Sequence, residues 1–95
     1  MATIQELVDR IEELDIDATI YAVRVGGLTP ESPAVVAVEP EDGSVPSDVE
    51  GMQYLLEVRV AREVLDWFRN LNNGRDPTPR EATEAIIHYA VHDAL

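Results

Sequence analysis

Apolar residues Ile4, Leu7, Val8, Ile11 and Leu14 recur at spacings of three and four, and this period predicts an amphipathic helix over residues 4–14. Thr3 and Glu6 stand at capping-box spacing in front of it. From Ala18 to Val25 the period changes to two, with Thr19, Tyr21, Val23 and Val25 alternating against Ala18, Ile20, Ala22 and Arg24. That is the signature of a strand rich in β-branched and aromatic residues, closed by Gly26-Gly27. An irregular connection containing Thr29-Pro30 and Ser32-Pro33 leads to the continuous apolar run Ala34-Val35-Val36-Ala37-Val38, expected as a buried strand.

Residues 39–51 combine two prolines, two glycines and five acids with no base, and predict a long loop. A third strand follows over Met52 to Val58, with Met52, Tyr54, Leu56 and Val58 expected on one face. Val60, Val64, Phe68 and Leu71 return to helical spacing, so a second helix is expected over 60–71, stopped by Asn72-Asn73-Gly74. Thr78-Pro79-Arg80-Glu81 joins a capping box to a proline at the first helical position. A third helix should run from there to the end, with Ala82, Ala85, Ile86, Tyr89 and Ala90 inward. The predicted fold is one α+β domain over residues 1–95, a small three-stranded, mainly antiparallel sheet with one N-terminal and two C-terminal helices in the order α-β-β-β-α-α.

Charge adds a direction to this picture. Nineteen acids against seven bases, all arginine, give a formal net charge of -12. Residues 1–50 hold 12 acids and 2 arginines and residues 51–95 hold 7 acids and 5 arginines, so the halves stand at -10 and -2. Such a chain repels phosphate backbones and anionic lipid, which argues against direct nucleic-acid or membrane binding and for a basic protein partner. An arginine-only, acid-rich composition also fits a GC-rich genome or a halophile, and neither is a function. The absence of cysteine excludes disulfides and thiolate sites. With no signal-type N-terminus and no apolar run of membrane length, the expected location is the cytoplasm.

Catalysis has little to build on. Serines fall only at 32, 44 and 47, without a histidine placed as base, and Gly26-Gly27 lacks the further glycines of a phosphate loop. Glu84, His88 and His92 form a helical stripe without the intervening glutamate of a zinc-protease helix, and the plain reading is a polar face. No catalytic residue, cofactor or metal site is therefore expected. Asp93 falls on the apolar side of the last helix, four residues after Tyr89, where it needs a partner if buried; the alternative is that Asp93 and Tyr89 belong to a contact surface. Trp67 could serve as a binding hot spot, but beside Phe68 on an amphipathic helix it is expected in the core or at its edge.

Partner binding is expected from the acidic loop, through Glu39, Glu41, Asp42, Asp48 and Glu50, and from the outer face of the first helix, through Glu12 and Glu13. Taken together, the first helix, the strand Ala18-Thr19-Ile20-Tyr21-Ala22, the strand Pro33-Ala34-Val35-Val36-Ala37-Val38, Tyr54-Leu55-Leu56-Glu57-Val58 and the ending Ala85-Ile86-Ile87-His88-Tyr89-Ala90 to Asp93-Ala94 resemble a family. Its members are small acidic bacterial proteins without assigned function, some of them encoded among toxin-immunity genes. The resemblance implies an intracellular protein-binding role and transfers no functional residue.

The leading expectation is a non-enzymatic inhibitor of immunity or antitoxin type that blocks a basic toxin, nuclease or defence protein. A phage-encoded nucleic-acid mimic acting on a defence complex is the near alternative. A homodimeric structural or accessory subunit, joined through the last helix or a sheet edge, is the distant one. Neutralising Glu39, Glu41, Asp42, Asp48 and Glu50 together should weaken capture of the basic partner at low salt and leave the far-ultraviolet circular dichroism spectrum unchanged.

Overall fold

The computed structural model describes residues 2–24, 26–38 and 51–92. Elements run β1 (Ala2–Thr3), α1 (Ile4–Asp9), a 3₁₀ turn (Ile11–Glu13), β2 (Ala18–Ala22), β3 (Pro33–Val38), β4 (Gln53–Glu57), α2 (Val58–Leu71) and α3 (Pro79–His92). The class is α+β: a four-stranded sheet in the order β1-β3-β2-β4, every pairing antiparallel, with three α-helices.

Four strands replace the expected three because Ala2 and Thr3 pair with Ala34 and Pro33. Two residues are too few to leave a period-2 pattern in a sequence, so β1 exists only through its partner. Its brevity also changes β3. Ala34 is buried, but Val35, Val36 and Ala37 are half-buried and Val38 is 60% exposed, not the continuous buried run expected. Beyond Ala34, β3 is flanked on one side only among the described residues.

In β2 all five residues are buried, as suits the strand with neighbours on both edges. Ala18, Ile20 and Ala22 join Ala34 and Leu56 in the core, against Ile4, Leu7, Val8 and Ile11 from the N-terminal helical segment, Val58, Ala61, Val64 and Leu65 from α2, and Ala82 and Ile86 from α3. The expected alternation of β4 fails at one point. Register shifts between Ile20 and Tyr21, which pair with Leu56 and Tyr54, so Leu55 is an extra residue in a bulge. Leu55 and Leu56 are consequently both buried, and Tyr54 is left 54% exposed.

β2 ends at Ala22, short of the predicted Val25, which lies outside the described residues. The following connection is ordered by a local turn: Thr29 N donates to Ser32 Oγ (2.9 Å) and Ser32 N to Thr29 O (3.0 Å). Carbonyls of that turn receive the first helical amides, Ile4 N to Ser32 O and Gln5 N to Pro30 O, both at 3.0 Å. Glu6 N donates to Thr3 Oγ1 at 3.2 Å. Helix α1 thus has its N-terminal donors satisfied by backbone and cap together.

The helix predicted over 4–14 breaks at Arg10 and continues as the 3₁₀ turn. No proline or glycine causes this. From about 50 residues away the Arg62 guanidinium meets the broken helix end: Nε and Nη2 donate to Ile11 O (3.3 and 3.2 Å), and Nη2 also reaches Glu12 O (3.1 Å) and Leu14 O (3.2 Å). A continuing α-helix would turn these carbonyls along its axis and away from a common point. The tighter turn converges them on one cation.

Helix α2 follows β4 without a loop and ends in a Gly cap, with Asn73 at φ 57° and Gly74 at φ 82°. Gly74 N donates to Arg69 O at 2.7 Å. Replacing Arg62 by Met should strand the carbonyls of Glu12 and Leu14, whereas Ile11 O keeps the Leu14 amide (3.3 Å), and cost about 2–3 kcal/mol, measured by urea denaturation. Arg62→Lys should recover less than half of that loss, since a point-like ammonium lacks the planar fork.

Candidate functional site

The end of α1, the 3₁₀ turn, α2 and the α2–α3 connection meet around a cleft of about 240 Å³. Val8, Ile11, Leu65 and Ala82 supply an apolar floor, with Pro77 and Pro79 along one wall. Its charged lining is Asp9, Glu12, Asp76 and Arg69, three carboxylates against one guanidinium. Arg69 is already engaged, with Nε donating to Asp76 (2.7 Å) and Nη1 to Asp66 (2.8 Å). The hydrogen bond to Asp76 foremost, and the charges of both carboxylates, push the Arg69 pKa upward, so its proton stays in place.

Each of these side chains is placed by a local rule. Asp9 and Glu12 are three residues apart across the α-to-3₁₀ junction and both are exposed. Glu12 Oε2 lies 3.8 Å from Arg62 Nε, with 71% of its side chain exposed, so it is only weakly neutralised. Glu13, next on the same turn, is exposed and makes no ion pair among the described residues. Asp76 is held by Arg69 (2.7 Å), and Arg75 and Thr78, which flank Asp76-Pro77, are both fastened to Glu81. Thr78 N donates to Glu81 Oε1 (3.0 Å) and Glu81 N to Thr78 Oγ1 (3.2 Å), completing the predicted capping box. The Arg75 fork closes on the same carboxylate, Nη1 to Oε1 at 3.1 Å and Nη2 to Oε2 at 3.0 Å.

An apolar floor with a carboxylate rim has the form of a receptor for a long cationic side chain, whose methylenes lie on the floor while its head meets the rim. Of the residues expected to bind a partner, Glu12 lines this cleft and Glu13 flanks it; Glu39, Glu41, Asp42, Asp48 and Glu50 lie outside the described residues. Asp93 also lies outside them. Asp9 belongs with Glu6, Glu12 and Glu13 to the acidic outer face that the sequence predicts for the first helix but is not among the expected partner-binding residues, and Asp76 is not singled out at all. Asp9 could have been found one helical turn before Glu12, whereas Asp76 arrives through a turn that carries no acidic pattern.

A wider, shallower groove of about 480 Å³ runs between Leu28–Glu31 and the outer face of α3. Arg80 Nη1 donates to Glu31 Oε1 across it (3.0 Å), and that bond holds the Glu31 carboxyl below its ordinary pKa. Glu84, His88 and His92 lie along this groove, with the two imidazole rings 4.4 Å apart between centroids. Among the described residues no group of three or more His, Cys, Asp or Glu is placed to hold a metal ion. Trp67 differs from expectation. It is 55% exposed on α2, because the neighbouring Phe68 takes the inward position and is half-buried beneath Arg75.

No family model, no curated protein and no solved structure matches the chain. No helix of the described residues is long and apolar enough to cross a membrane.

The clamp on Glu81 predicts an acid titration. Arg75, and after it the Thr78 amide, lower the Glu81 pKa from 4.5 to about 2. A carboxyl with a depressed folded-state pKa stabilises the fold above its unfolded value, and this contribution is lost as pH falls through the folded value. Carboxyl carbon shifts should accordingly place the Glu81 midpoint near 2, and Arg75→Gln should move it upward.

Proposed function

We propose that this chain is a small acidic, non-catalytic binding protein that inhibits a basic protein, in the manner of an immunity protein or antitoxin acting on a nuclease. One observation carries the reading. Arg59, Arg62, Arg69, Arg75 and Arg80 are bound to carboxylates of the chain itself. Glu6, Asp9, Glu13 and Asp15, on the N-terminal segment, have no ion-pair partner among the described residues. Five of the seven arginines are thus used internally, and among the described residues the N-terminal segment keeps four unpaired carboxylates against the one unpaired guanidinium of Arg10, beside a cleft with an apolar floor.

Such a surface attracts a basic partner from a distance and offers it a place to seat a lysine or arginine. The likeness to small acidic proteins of toxin-immunity neighbourhoods belongs to the same proposal, as does a cytoplasmic site of action. A nucleic-acid mimic would use the same carboxylates against the same class of partner. The accessory-subunit reading has one observation of its own, the outer edge of β3 beyond Ala34, which no described strand covers.

The test is capture of basic proteins from the host lysate, followed by titration of the captured protein. Binding should weaken at least tenfold between about 50 and 300 mM salt. Neutralising Asp9, Glu12 and Glu13 to their amides should weaken it about tenfold at low salt with an unchanged melting temperature. A salt-insensitive complex, or a salt-insensitive homodimer in light scattering with nothing captured, would overturn the proposal.

A further inference from the structure

A third indentation lies along the other side of α2, where Val60, Glu63, Val64 and Trp67 face Tyr89 of α3. Glu63 and Trp67 are one turn apart at i and i+4, so the carboxylate and the indole are side by side. Val64 is buried and Val60 half-buried beneath them, while Tyr89 packs half-buried against the core. Trp67 keeps 55% of its surface exposed, although an indole gains more than almost any other side chain from burial. Glu63 makes no ion pair among the described residues.

We propose that Trp67, Tyr89 and Glu63 form a binding site for an arginine side chain of a basic protein partner. Two aromatic rings and an unneutralised carboxylate at one indentation suit a delocalised cation, the rings through their quadrupoles and the carboxylate through charge and hydrogen bonding. The indentation encloses only about 20 Å³, so the ligand is a flat group laid over the rings, not a molecule enclosed between them. Guanidinium is planar and weakly hydrated, which suits this geometry better than a compact, strongly hydrated ammonium. The chain already contains such a contact of its own one residue further on, with the Arg75 guanidinium 5.4 Å from the centroid of Phe68.

A second copy of the chain is a poor occupant, because each copy brings a net charge of -12 to the contact. The site takes from the proposed function only that the partner is basic, and it lies across α2 from the acid-rimmed cleft.

Trp67 is the only tryptophan, so its fluorescence reports on this site without labelling. Titration with acetylated, amidated hexa-arginine should change Trp67 emission saturably, and hexa-lysine should bind it at least about threefold more weakly. Glu63→Gln and Tyr89→Leu should each raise the dissociation constant read at Trp67 about fivefold. The triple amide variant at Asp9, Glu12 and Glu13 should leave the Trp67 response within about twofold. Equal binding of the two peptides, or Glu63→Gln without effect on the Trp67 signal, overturns the site. Because the peptides replace the partner, a Trp67 response with no basic protein captured from lysate leaves the site standing and removes the inhibitor reading. A captured basic protein with a silent Trp67 does the reverse.

Discussion

The hinge of the structure is the guanidinium of Arg62 against the carbonyls of Ile11, Glu12 and Leu14. A helix end exposes carbonyls that need donors, and here they receive one planar cation from a helix placed far later in the chain. That contact ties the N-terminal helical segment to α2, and through α2 to β4, which it follows directly. It falls where α1 gives way to the 3₁₀ turn, on the segment that carries Asp9, Glu12 and Glu13. The acid-rimmed cleft is lined by residues of the two segments that Arg62 joins, Ile11 and Glu12 on one and Leu65 and Arg69 on the other.

Much of this was legible in the residues. Apolar spacing locates both long helices and the inward positions Ala82 and Ile86, and the Thr78–Glu81 box is formed as its residues require. The antiparallel sheet was expected too; what escaped were the details set by partners distant in sequence. β1 is a strand only because Ala34 and Pro33 are beside it. The Leu55 bulge follows from register against β2, and the carbonyls past the break at Arg10 meet Arg62. Of the cleft, Glu12 was visible as part of an acidic stripe, whereas Asp76 reaches it by the Arg69 and Arg75–Glu81 contacts, which no local pattern encodes.

Arginine has two distinct duties here, and magnitude separates them. Pairs such as Arg59–Asp17, with side chains 55% and 72% exposed, contribute on the order of half a kcal/mol at most. Arg62, 27% exposed and bonded to backbone, contributes several times more, because its loss leaves helix-end carbonyls without donors. The exposed pairs matter for another reason. Each paired guanidinium offsets one negative charge at one place, and among the described residues the unpaired acids are then chiefly those of the N-terminal helical segment together with Glu57, Glu63 and Glu84.

Helix α2 separates the two places where that surviving acidity meets apolar surface. Leu65 and Arg69 line one cleft and Val60, Glu63 and Trp67 the other, and at 3.6 residues per turn these sets fall on either side of the inward stripe of Ala61, Val64 and Leu65. The two sites therefore differ in chemistry as well as position. The first has several carboxylates at its rim and no aromatic ring, so it favours a cation through charge and loses that preference in salt. The second has one carboxylate beside an indole and a phenol, so a larger share of its affinity comes from stacking and desolvation and persists as salt rises. A basic partner of the kind proposed would have to meet α2 on two of its faces to engage both, a requirement of shape added to that of charge.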